Sequence, residues 1–149
     1  MSRFFVRACA VLIVLRSFTN FAKLFQGEEA TLVLFGQILR GGDAALPSLI
    51  VGLFMLATGI GLLIGARWAL PLIAAYALYV AVNLLTWSVT NPGEFVHVGS
   101  RFSSATDPSE LHRLGVLAFL GYCLIAIGTT AGPAWILWKG SRSSQRIAV

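Results

Sequence analysis

Arg16, Asn20 and Lys23 follow one another at spacings of four and three within an apolar stretch that runs from Phe4 to Phe25. Those spacings put all three on one face of a helix. A guanidinium at membrane depth costs roughly 2.5–3.5 kcal/mol on insertion scales, so such a charge marks a site that a partner or ligand must explain. A second polar stripe, Tyr76, Tyr79, Asn83 and Thr86, repeats at three, four and three. The two stripes predict a polar pocket between the first and third long apolar segments. In it, Arg16, Asn20, Lys23, Tyr79 and Asn83 are the candidate residues for an anionic or quinone-like headgroup. Two other readings compete. Arg16 and Asn83 would serve as polar contacts between helices, worth about 0.6 kcal/mol each, or Arg16 would meet a carboxylate of another subunit. The chain's own six acids, Glu28, Glu29, Asp43, Glu94, Asp107 and Glu110, all lie outside the long apolar segments.

The elements that position these residues follow from composition. Hydrophobic residues make up 57% of the chain and charged residues 11%, about half the charge of an average soluble domain. Mean hydropathy is +0.81. A membrane core of about 30 Å needs about 20 apolar residues per helix, so a chain of this length holds four spans and no sizeable soluble domain. The fold expected is all-α, an integral membrane four-helix bundle, with spans near 4–25, 44–65, 69–89 and 114–138. The net charge of +5 reads as membrane orientation and contact with anionic lipid, not as nucleic-acid binding. Cys9 and Cys123 lie in different spans with no CxxC spacing, which excludes a dithiol motif. The Ala8-Cys9-Ala10 triplet precedes the first apolar core instead of following it, so the segment reads as an uncleaved helix.

Between the first two spans, residues 28–40 are too few to cross a membrane. Glu28 and Glu29 suit a helix start, Arg40 and Gly41-Gly42 suit its end, and Leu32, Phe35 and Leu39 recur at helical spacing. The expectation is a short interfacial helix. Asn91-Pro92-Gly93 stops the third span and opens an outer loop, 91–113. Asp107, Pro108, Ser109 and Glu110 supply a capping acid, a first-turn proline and a third-position glutamate, so the last helix should begin before its apolar segment. Ala57, Gly61 and Gly65, and Gly128 with Gly132, repeat every fourth residue and are candidate helix-packing positions within or between subunits.

With both termini on the cytoplasmic side, that side holds Arg3, Arg7, Arg67, Lys139, Arg142 and Arg146, against Lys23, Arg40, Arg101 and Arg113 opposite. The positive-inside rule favours this orientation. Trp68, Trp87, Trp135 and Trp138 lie near span ends, as an aromatic belt requires. His97 and His112 match no metal-ligand spacing. No Ser-His-Asp set, phosphate-binding loop or dinucleotide fingerprint is present.

The order of features resembles the DoxX-like family of small four-helix membrane proteins over residues 7–85. The resemblance rests on a first helix that opens with Arg7 and closes on Lys23-Leu24-Phe25-Gln26-Gly27. Leu46-Pro47 then leads through Gly59 and Gly61 to Gly65-Ala66-Arg67. Two departures stand out: Met55 occupies a position where members often carry glutamate, and Arg16 one that is usually apolar. The resemblance implies association with membrane redox systems, quinone-linked ones included, often as a non-catalytic partner.

The leading expectation is a small non-catalytic accessory or scaffold subunit that packs against a larger membrane complex or against itself. The alternative is a quinone-linked redox component with a headgroup site near Arg16 and Asn83, and the third is an oligomeric transporter or channel. The expected location is the bacterial inner membrane, with lipid as the constant partner.

Overall fold

A computed structural model describes residues 2–103 and 107–146. It is mostly helical, and four of its helices are long and apolar enough to cross a membrane. These are α1 (Ser2–Ala22), α2 (Gly42–Ile64), α3 (Ala69–Thr90) and α5 (Pro108–Arg146), with a short α4 (Glu94–Ser100) before the last. Helix α1 continues through a 3-10 turn, Lys23–Phe25. Helix α1 packs on α2 and α5, and α3 packs on the same two, so α1 and α3 stand diagonally across from each other. In the half nearer the termini, Val6, Ala10 and Ile13 of α1 meet Leu62 of α2, Ile73 of α3 and Ala126 of α5 in one buried core. In the other half polar residues line the space between α1 and α3.

The segment expected to be an interfacial helix is instead a hairpin of two strands, β1 (Thr31–Leu34) and β2 (Gln37–Arg40), paired antiparallel. The physical reason lies in the turn. Phe35 and Gly36 both adopt positive φ, 49° and 81°, the two-residue geometry whose twist matches that of paired strands. Thr31-Leu32-Val33-Leu34 also carries the β-branched alternation that favours an extended chain. Leu32 and Leu39, which fit a helical face seven residues apart, are cross-strand partners here. Leu32 is buried with Ala30 and Ala44 in a small separate core that Leu39 flanks.

The expected outer loop is also more ordered than its composition indicates, because α4 lies within it and packs along α5. Residues 104–106 of that loop lie outside the described residues. The contact depends on two glycines. A Cβ at Gly115 would overlap the Phe95 carbonyl, and one at Gly99 would overlap the Leu111 carbonyl. Phe95 then stands edge-on to Trp87, His112 and Phe119, with ring centroids 5.4, 5.6 and 5.4 Å away. Helix α5 starts where the capping residues place it. The Asp107 carboxylate accepts the Ser109 backbone N–H at 3.0 Å and the Ser109 hydroxyl at 2.8 Å. These bonds hold the Asp107 carboxyl below its ordinary pKa.

The small residues named from spacing have mixed fates. Gly61 lies against Trp68, whose ring would come within 2.6 Å of an added Cβ, and Gly132 lies against Phe5. Gly65 ends α2 in the left-handed conformation at φ +69°, with Ala66 N–H reaching back to the Gly61 carbonyl. Ala57 is exposed and Gly128 faces open space, so neither packs within the chain. Glycines that do admit α1 closely against α2 are Gly59, against Val14 and the Ala10 carbonyl, and Gly52, against the Phe21 ring.

Gly115→Ala should detach α4 at a cost of about 1–3 kcal/mol. Hydrogen exchange of the Glu94–Ser100 amides should quicken while the α5 core stays protected, and unchanged protection would contradict the packing described.

Candidate functional site

The two polar stripes meet in one chamber of about 370 Å3 in the half of the molecule that carries the hairpin. Arg16 and Asn20 line it from α1, Lys23 from the 3-10 turn that continues α1, and Tyr76, Tyr79 and Asn83 from α3. Val51 and Met55 of α2 form a third wall, Tyr122 of α5 a fourth, and Thr31, Leu32 and Val33 of β1 the roof. All five candidate residues named from the sequence therefore share one cavity. Thr86, the last residue of the α3 stripe, binds its own helix carbonyls at Val82 and Asn83 and takes no part in the lining.

Arg16 meets a neutral group. Its guanidinium donates to the Tyr122 hydroxyl, and its Cζ lies 5.3 Å from the centre of the Tyr122 ring. A cation over an aromatic face gains roughly 0.5–2 kcal/mol, yet Tyr122 brings no negative charge. Neither Arg16 nor Lys23 forms an ion pair with any acid among the described residues, and no carboxylate lines the chamber. Both Arg16 and Tyr122 are exposed at the surface of the helices. The pair thus forms the mouth of the chamber at the α1–α5 seam.

Asn20 and Asn83 differ in how fully they are engaged. Asn20 is buried and its amide donates to the Met55 sulfur at 3.2 Å, a weak acceptor. Asn83 is committed to the hairpin. Its Oδ1 accepts the Phe35 backbone N–H at 2.6 Å, and its Nδ2 donates to the Val33 carbonyl at 3.2 Å. About two turns further on, at the end of α3, the Thr90 hydroxyl and the amide of the capping Asn91 both donate to the Gly36 carbonyl, at 3.1 and 2.9 Å. Asn83 is therefore first a clamp on the roof and only at its edge a wall of the cavity.

Tyr76 is 2% exposed. It stacks on Tyr79 with centroids 6.3 Å apart and takes Phe54 edge-on, while Tyr79 meets Phe35 of the roof at 5.8 Å. Neither tyrosine hydroxyl has a hydrogen-bond partner among the described residues. A chamber with two cations, two unpaired phenols and no acid is built to receive acceptor oxygens.

Compared with protein-family models, curated proteins and solved structures, the chain finds no match. Among the described residues no group of His, Cys, Asp and Glu is arranged to hold a metal ion. His97 is exposed on α4 and His112 packs on Phe95. Spacing did not reveal Tyr122, which belongs to no polar stripe at helical spacing in its long apolar helix. A depth count offers the missing signal, because Arg16 and Tyr122 stand about equally far from the hairpin-side ends of the predicted spans 4–25 and 114–138.

Asn83→Ala should free the turn, because the Phe35 N–H loses its acceptor at a cost of about 1–3 kcal/mol. Faster amide exchange at Phe35 and across Thr31–Arg40 is the expected readout. Retained protection there would show that the hairpin holds its place without Asn83.

Proposed function

We propose that this chain is an integral membrane four-helix protein whose chamber binds the polar head of a membrane-borne amphiphile. One observation carries the reading: Arg16 and Lys23 on one wall oppose the hydroxyls of Tyr76 and Tyr79 on another, with no carboxylate among them. A purely structural arginine would be expected to end on backbone carbonyls or an acid. Arg16 ends instead on a phenol at the mouth of a chamber. The DoxX-like resemblance puts quinones among the candidate ligands and a membrane redox complex among the candidate settings. The role proposed is binding, as a non-catalytic component.

Assembly with other membrane subunits, or with further copies of this chain, is a second reading. The outward-facing Ala57 and Gly128, unused inside the chain, leave room for a helix from outside. The two readings are compatible, since a headgroup chamber can serve a larger complex. The proposed location is the bacterial inner membrane with both termini cytoplasmic, on the charge distribution alone.

The binding test uses purified protein in phosphatidylcholine nanodiscs, titrated with a short-chain benzoquinone and with dodecyl phosphate. At least one should bind saturably, and Arg16→Gln should weaken it about tenfold or more, the scale of a charged hydrogen bond worth about 1.5–3 kcal/mol. Saturable binding of neither, or equal affinity in the variant, would leave only the assembly reading. For orientation, an alkaline phosphatase reporter fused after Gly93 should be active in a bacterial host and one fused after Lys139 silent. The reverse pattern would invert the topology.

A further inference from the structure

A second chamber adjoins the first. It has a volume of about 440 Å3 and is walled mainly by Trp87 of α3, Val98 of α4, Phe102, and Ala118 and Phe119 of α5. Val33, Asn83, Leu84 and Tyr122 line both chambers, so they form a common partition. The first chamber is polar and carries both cations. The second is mainly apolar and aromatic, with Arg101 the one charged residue lining it among those described. Each volume falls within the range of roughly 300–1,000 Å3 typical of small-molecule sites.

The two compartments differ in the way the two ends of one molecule differ. We infer that the ligand is a single-headed anionic amphiphile, with a phosphate or carboxylate head between Arg16 and Lys23 and its apolar body in the Trp87–Phe119 chamber. This rests on the headgroup reading above and narrows it. The sign of the head follows from charge. Two cations with no acid beside them, in a site of low dielectric, are poorly satisfied by a neutral head such as a quinone and well satisfied by an oxyanion, which also accepts from both phenols. The Tyr76 and Tyr79 side chains line the same chamber, where their hydroxyls can donate to such a head. The need for a body follows from the second chamber, whose aromatic walls offer a head alone no contact. Tyr122 divides the two compartments and binds Arg16 through its hydroxyl. An arriving oxyanion competes for that guanidinium, and release of the ring opens the partition to the chain behind the head.

The test compares dodecyl phosphate, dodecanol, a short-chain benzoquinone and inorganic phosphate on the full chain in phosphatidylcholine nanodiscs. Dodecyl phosphate should bind at least tenfold more tightly than any of the other three, and Lys23→Gln should weaken it at least tenfold. Dodecanol or the quinone binding as tightly as dodecyl phosphate would overturn the anionic head. The headgroup reading would still stand if Arg16→Gln weakened that neutral ligand. Inorganic phosphate binding as tightly would overturn the apolar chamber as part of the site. Ala118→Trp fills that chamber away from Arg16, and should weaken dodecyl phosphate at least tenfold while leaving inorganic phosphate unchanged. Should that variant fail to fold, 12-bromododecyl phosphate gives the location directly. Its bromine should quench Trp87 saturably in the unaltered protein and lose that quenching in Trp87→Phe. Quenching that is unsaturable, or unchanged in Trp87→Phe, places the chain elsewhere and overturns the inference.

Discussion

The side-chain amide of Asn83 makes the two bonds on which the chamber depends. A backbone N–H or carbonyl without a partner is costly wherever water is scarce, and the hairpin turn presents several such groups to α3. Asn83 satisfies one of each with a single planar amide, and Thr90 with Asn91 completes the set at Gly36. Phe35 is held at positive φ, a conformation uncommon for a large side chain. Its ring contact with Tyr79 and its N–H bond to Asn83 both reward that conformation. The roof is thus fixed to α3 and not to α1, which leaves the wall carrying Arg16 and Lys23 free of hairpin bonds.

That division of labour explains why the same stripe of polar residues need not mean one thing along its length. On α3, Asn83 and Thr90 are spent on backbone groups, while Tyr76 and Tyr79, closer to the middle of the helix, keep their hydroxyls for the cavity. On α1, Ser17 and Thr19 bind carbonyls of their own helix, at Val14 and Arg16. Arg16 and Lys23 are left as charges with no acid to meet. The Tyr122 ring and hydroxyl lower the cost of one of them without removing its charge. The buried core near the termini is built of apolar residues and carries none of these charges.

Much of this was legible in the residues, and the parts that were not have identifiable causes. The stripes stood out because a helix repeats every three to four residues and polar side chains are conspicuous in apolar segments. The spans were legible for the same reason. The hairpin was not, since Leu32 and Leu39 serve equally as a helical face or as a cross-strand pair, and thirteen residues give too few periods to decide. The deciding signal was local, a turn built on Phe35-Gly36 instead of the usual Asn-Gly. Glycine spacing misled for a related reason. Four-residue repeats describe contact between two long helices, whereas Gly99 and Gly115 meet across a loop and follow no repeat.

The two glycines also account for how an apolar chamber comes to lie beside a polar one. Because α4 and α5 touch backbone to backbone at Gly99 and Gly115, Phe95 is driven between Trp87 and Phe119 and fixes both rings. Trp87 and Phe119, tilted together at 5.1 Å, then form the back of the second chamber. Trp87, assigned from sequence to an interfacial belt, is a structural wall as well as a residue near a span end. A side chain larger than hydrogen at either glycine would push α4 outward and take Val98 with it. The shape of the apolar compartment is therefore set from outside the four long helices, by a seven-residue helix whose position depends on the absence of two methyl groups.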